Sequence, residues 1–186
     1  LCILCYYLCK HNNIKYKGLG VEGYIPIDKV RECKTKEDKE FWKGKKVWLG
    51  MDLSISDDNT ALTMVTEDKG FIYGKVWGFI PADKKKQKSK KEGVDYERLI
   101  RQGSCFECGG EVIDYGFIEA FIIGNEQYKL KGIEEEYGVE IQQIGYDRYN
   151  AISTVQKLEA AGYECVEIKQ HSSVLHMPTK LLKELV

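Results

Sequence analysis

Apolar, β-prone runs separated by short polar breaks set the layout of this 186-residue chain. Residues 47–53, 60–66 and 71–80 follow one another closely and predict three strands. Glu67-Asp68-Lys69-Gly70 joins the second and third as a hairpin turn ending on Gly, so the three predict an antiparallel meander. Residues 96–102 predict a helical turn and 103–110 a loop. Asp114 predicts the N-cap of a helix running to about Tyr137, broken near Gly124 and Gly132, with Phe117, Ile118, Phe121 and Ile122 as its apolar stripe. The Glu134-Glu135-Glu136 run reads as its solvated face. Residues 139–146 predict a fourth strand. Asn150 predicts the cap of a helix to Gly162, with Ile152, Val155 and Leu158 inward. Residues 163–168 predict a fifth strand, and a last helix starts near Pro178.

The order β-β-β-α-β-α-β-α predicts an α/β fold: a mixed five-stranded sheet flanked by helices. The right-handed crossover rule sets the fourth strand parallel to a neighbour. If that neighbour is the first strand, two carboxylates meet. Asp52 closes the run Val47-Trp48-Leu49-Gly50-Met51, and Asp147 closes Ile141-Gln142-Gln143-Ile144-Gly145-Tyr146. Both would then project from adjacent strands at the same end of the sheet, where sites form in sheets with parallel strands.

Composition narrows the class only a little. Hydrophobic content of 43% and charged content of 31% suit a globular chain with a core. A net charge of −1 supplies no bulk basic field, so any nucleic-acid contact must be a local patch. Residues 81–93 form a polar insertion carrying Lys84, Lys85, Lys86, Lys88, Lys90 and Lys91. It reads as a solvated, mobile loop, or alternatively as a loop on DNA phosphates. Seven cysteines at irregular spacing do not form a disulfide framework. The C-x-x-C pairs Cys2/Cys5 and Cys105/Cys108 have no His at finger spacing, and free thiols in a reducing compartment are the plainer reading. The opening LCILCYYLC is too short to span a bilayer and lacks a signal-peptide pattern. Residues 22–28 read as a short extended piece, and 29–46 as a linker or short helix.

A carboxylate at the end of a buried strand is costly without a partner, and a divalent metal is a simple one. Hard oxygen ligands suit Mg²⁺ or Mn²⁺. Taken singly, Asp52 reads equally well as a turn carboxylate and Asp147 as a helix cap; together they point to a metal site and phosphodiester chemistry. Asp57 reads as a solvated neighbour. Arg148 is read two ways, on a DNA phosphate or paired with a carboxylate. His171 and His176 carry no assigned role, a surface or capping position being commoner.

These stretches resemble the nuclease domain of the large terminase subunit of tailed bacteriophages. The resemblance rests on Gly50-Met51-Asp52-Leu53-Ser54 followed by Asp58-Asn59-Thr60-Ala61, and on Gly145-Tyr146-Asp147-Arg148-Tyr149-Asn150-Ala151. Residues 109–118, Gln170 and Met177-Pro178-Thr179-Lys180 also match. The resemblance implies a ribonuclease H-like fold and a metal-dependent endonuclease that cuts concatemeric double-stranded viral DNA during packaging. It implies two Mg²⁺ or Mn²⁺ ions, with Asp52 bridging them, Asp147 completing one site and Asp58 as an auxiliary ligand. Arg148, Lys84, Lys85 and Lys86 become candidate DNA contacts.

The family's third main acid lies on a later helix, so residues 45–186 are expected to form a nuclease domain incomplete at its C-terminus. Residues 1–44 are expected to be a linker or remnant of an upstream ATPase domain. No G-x-x-x-x-G-K-[ST] stretch occurs, so ATP would be used only by the full-length protein. The expected partners are double-stranded DNA, the portal protein and the small terminase subunit, with no membrane, in the cytoplasm of a bacterial host. Other readings are a resolvase- or transposase-type nuclease of the same fold, or a non-catalytic DNA-binding or assembly remnant.

Overall fold

The computed structural model describes residues 24–35 and 38–186. The Cys2/Cys5 pair and Cys9 lie outside the described residues. The chain divides into two compact units, Leu1–Lys36 with His176–Val186 and Glu37–Leu175. In the first, helix α1 (Ile27–Glu32) follows Pro26; it begins at the end of the expected extended piece and lies mostly in the stretch read as a linker or short helix. Lys183 Nζ lies 4.6 Å from the centre of the Tyr24 ring. Among the described residues no helix is long and apolar enough to cross a membrane.

The second unit is built on a six-stranded sheet in the order β4-β3-β2-β1-β5-β6. Its strands are β1 (Lys46–Asp52), β2 (Thr60–Asp68), β3 (Phe71–Ile80), β4 (Cys105–Glu107), β5 (Glu140–Tyr146) and β6 (Cys165–Glu167). The first three form the expected antiparallel meander. β5 lies parallel to β1, with Gly50 opposite Gly145 and Met51 opposite Tyr146. β6 continues the parallel half. The expected sheet thus gains one strand. β4, in a stretch whose sequence predicts a loop, is a three-residue edge strand parallel to the end of β3.

Alternation decides which face is covered. Val47, Leu49 and Met51 of β1 are buried together with Leu62 and Met64 of β2, Trp77 and Phe79 of β3 and Ile144 of β5. Against them pack Trp42 of α2 (Lys39–Trp42), Ile118 and Ile122 of α5 (Tyr115–Ile123), Ile133 of α6 (Ile133–Tyr137), and Val155 and Leu158 of α7 (Ile152–Ala160). Asp114 caps α5 by accepting from Gly116 N–H at 2.9 Å. The long helix expected over 114–137 is broken at both anticipated glycines, giving α5 and α6. Glu119 of α5 accepts from Thr154 Oγ1 (3.0 Å) and from Lys157 Nζ (2.8 Å), tying α5 to α7. The opposite face is sparsely covered: Trp48 is 45% and Val76 58% exposed.

Three local readings change. Asn150 does not cap α7; it sits at φ 61°, and Ala151 holds the cap position. The last helix, α8 (Ser172–Leu185), starts six residues earlier than expected and contains Pro178. His171 sits at its start, with its ring Nδ1 accepting from Ser173 N–H at 3.2 Å. The third change is the lysine run, which is helical. A 3₁₀ turn (Ala82–Lys84) leads into α3 (Lys85–Glu92), and α4 (Tyr96–Arg101) follows. An isolated helix reading KKQKSKKE suffers like-charge repulsion at i,i+4. Here Lys84 pairs with Asp57 (3.1 Å), Lys85 with Glu97 (2.6 Å) and Glu107 (2.7 Å), and Lys88 with Glu92 (3.0 Å). Gly93 ends α3 at φ 68°.

Candidate metal-binding site

The antiparallel and parallel halves of the sheet meet at β1, the strand between β2 and β5. That is where a cleft is expected beyond the strand ends. The structure has a depression of about 210 Å³ there. Asp52 from the end of β1 and Asp147 from the residue after β5 both line it, with Ala61, Thr63, Ile168 and Gln170. The pairing of β1 with β5 runs up to this rim, and Asp147 N–H lies 3.4 Å from Met51 O. The two carboxylates therefore come from neighbouring strands at one end of the sheet.

The floor of the depression is nearly bare backbone. Gly50 and Gly145 sit two residues before the two aspartates, on the same face, and opposite each other. A Cβ on Gly50 would come within 2.7 Å of Thr63 Oγ1, and one on Gly145 within 2.6 Å of Ile168 Cδ1. Side chains at either position would crowd the space below the carboxylates. Asp52 is exposed and Asp147 half-buried, so both can be reached from solvent. Asp147 also accepts from Tyr149 N–H at 3.3 Å, which aims it at the turn before α7.

The donors fit a hard divalent cation. Two carboxylates and the Gln170 amide supply oxygen, and no thiolate or imidazole lines the depression. Among the described residues no group of three or more His, Cys, Asp and Glu converges. Mg²⁺ is commonly held by one or two carboxylates, with water and substrate phosphate completing the shell.

The other candidates lie elsewhere. Asp58 is exposed in the loop between β1 and β2 and does not line the depression. Its main-chain oxygen accepts from Ser54 Oγ at 2.8 Å. Arg148 is exposed immediately beside Asp147, and no ion pair holds it among the described residues. Lys86 is exposed on α3, whereas the ammonium groups of Lys84 and Lys85 are occupied by carboxylates. Asp57 is more than a solvated neighbour. The hydrogen bond from Lys84 holds its carboxyl below the usual range. Gln170 lines the site beside the two aspartates, three residues past the end of β6; its place among the stretches that resemble the terminase nuclease domain was the signal for it in the sequence. The buried thiols Cys105 and Cys108 lie away from the depression, and burial pushes the Cys108 thiol up to about 12.

Comparison with protein-family models matches residues 8–186 to the terminase large subunit, endonuclease domain. The chain belongs to that family. Among solved structures, this terminase endonuclease domain is similar to the large terminase of bacteriophage HK97, with 21% identity and a TM-score of 0.62. The match covers 77% of this chain and 29% of that one, so the chain spans less than a third of the HK97 protein's length. At that identity the likeness shows the fold, a mixed α/β sheet of the ribonuclease H-like kind flanked by helices. The curated proteins give no match.

Proposed function

We propose that this terminase endonuclease domain cuts double-stranded DNA with Mg²⁺ or Mn²⁺ held by Asp52 and Asp147. The observation that carries the reading is the pair of carboxylates at the ends of adjacent parallel strands, lining one depression floored by two glycines. A divalent ion bound there supplies Lewis-acid charge at the phosphate and an acidified water for hydrolysis. Asp52 and Asp147 hold the cation charge at the strand ends. The bare floor of Gly50 and Gly145 leaves room for phosphate oxygens, and exposed Arg148 stands beside the rim to pair with a phosphate. Asp58 and Lys86 join the proposal as outer contacts.

The family relationship carries the remaining proposals. The substrate is concatemeric viral DNA, and the portal protein and the small terminase subunit are the packaging partners. A second metal ion completes the site. ATP is used only by the full-length protein, and the setting is the host cytoplasm.

The test, made on the intact protein that carries the family's third acid, is nicking of supercoiled plasmid across a Mn²⁺ titration. The wild type is expected to convert the plasmid to open circles. Asp52→Ala and Asp147→Ala are each expected to lower the rate by at least about a hundredfold, because losing even the outer partners of metal ligands costs about 10–100-fold. A wild type that stays inert at every Mn²⁺ concentration, or an Asp52→Ala variant that cuts as well as the parent, overturns the nuclease reading in favour of a binding module.

A further inference from the structure

The lysine-rich insertion touches the candidate site through a loop. That loop, residues 53–59, leaves β1 directly after Asp52 and re-enters the sheet at Thr60, next to Ala61, which lines the depression. Within the loop, Ser54 N–H donates to Thr60 Oγ1 at 3.0 Å and Ser54 Oγ donates to Asp58 O at 2.8 Å. Tyr115 OH donates to Ser54 O (2.9 Å), and Ile113 N–H donates to Ile55 O (2.9 Å). These bonds fix its first half.

The second half is fixed from α3 and α4. Lys88 is 4% exposed, and its Nζ donates to Asp57 O at 2.5 Å while pairing with Glu92 at 3.0 Å. Lys84 reaches the Asp57 carboxylate at 3.1 Å. Asn59 Nδ2 donates to Tyr96 OH at 2.6 Å, and Tyr96 OH donates to Glu92. A buried ammonium is tolerated only with such partners around it. Every charge in this cluster is spent on the loop or on another member.

We propose that Lys88, Glu92 and Tyr96 are positioning residues: they clamp the Asp57–Asn59 turn and through it hold the end of β1, and hence Asp52, in metal-binding geometry. The lysine run divides by direction. Lys84 and Lys88 face the loop, while Lys86, Lys90 and Lys91 are exposed. Outer partners that orient metal ligands govern affinity for the ion, and clamp loss is therefore read in the metal dependence. This inference rests on the metal-site reading above.

The experiment compares the full chain with Lys88→Met, Glu92→Gln and Tyr96→Phe. Mn²⁺ affinity is measured by calorimetry, DNA affinity by filter binding over a salt series without metal, and amide hydrogen exchange over residues 54–59. Lys88→Met is expected to weaken Mn²⁺ binding about tenfold, at the lower end for an outer partner. It should speed exchange across 54–59 and leave DNA affinity and its salt slope unchanged. Tyr96→Phe, which keeps the ring and loses only the hydroxyl, is expected to act in the same direction and more weakly; it stands in if Lys88→Met does not fold. Unchanged Mn²⁺ affinity and exchange overturn the clamp. So does a loss of DNA affinity with a salt slope smaller by about one, the mark of a phosphate contact. A wild type that binds no Mn²⁺ defeats the metal-site reading instead. The clamp is then judged on exchange alone, and unaltered exchange in Lys88→Met overturns it.

Discussion

At the level of single residues, the site aspartates and the lysines differ in how far a linear reading reaches. Asp52 and Asp147 each end an apolar run, so their place at strand ends is readable from the chain. Lys88 looks identical to its neighbours in the string, and its partner Asp57 is 31 positions away. Only the turn of α3 separates inward from outward lysines. The same cluster gives a pH dependence. Burial pushes Glu92 upward, but hydrogen bonds from Tyr96 and Lys88 outweigh it and leave the carboxyl below its ordinary 4.5. Asp57 is lowered too, by the hydrogen bond from Lys84. A carboxylate with a depressed folded pKa stabilises the fold above its unfolded pKa, and that contribution is lost as pH falls through the folded value. The clamp is therefore expected to hold down to about pH 4.5 and to loosen below it, in the carboxylate range. Amide resonances of residues 54–59 followed by NMR from pH 6 to 3 should move together in that window; shifts centred near pH 6 would point to another group. Tyr96, pushed up to about 12 by burial and by its bond to Glu92, stays protonated throughout.

At the level of elements, what was legible depended on length. The seven- to ten-residue strands β1, β2, β3 and β5 carry enough apolar positions to declare themselves. β4 is three residues long and exists because β3 offers it an edge, so its burial of Cys105 is a tertiary fact. The helix α3 was missed for a related reason: its local charges oppose it, and pairing with distant carboxylates overrides them. The load on each strand can be tested. Ile144 is fully buried on β5 between β1 and β6, in the cluster that also holds Leu49 and Val155. Ile144→Ala is expected to cost about 2–5 kcal/mol, the usual cost of deleting a core aliphatic side chain. Urea unfolding should show the loss as a lower midpoint with an unchanged slope. A loss below about 1 kcal/mol would mean that β5 is not central to the core.

At the level of the whole molecule, one topological fact does most to make the site. The chain leaves β1 antiparallel into β2 and comes back to it parallel as β5, so carboxylates 95 positions apart in sequence line one depression. The crossover rule allowed that pairing to be foreseen; the part played by Gln170 and the glycine floor needed the strands laid side by side. Folding brings two carboxylates to one depression, and under the proposed metal-binding role a cation bound there would offset their like charge. Active-site groups commonly trade stability for function in this way. Two expectations follow from the one arrangement. In EDTA, Asp52→Asn should melt at or slightly above the wild-type temperature, because a like charge is removed. In Mn²⁺ at a hundred times its dissociation constant, the wild type should gain about 2.7 kcal/mol by mass action and its melting temperature should rise, while Asp52→Asn stays where it was. Melting curves with and without Mn²⁺ separate the cases. A variant that keeps the full Mn²⁺ shift would place the cation away from Asp52. A variant that melts well below the parent in EDTA would make Asp52 a structural carboxylate and not one held in reserve for a metal.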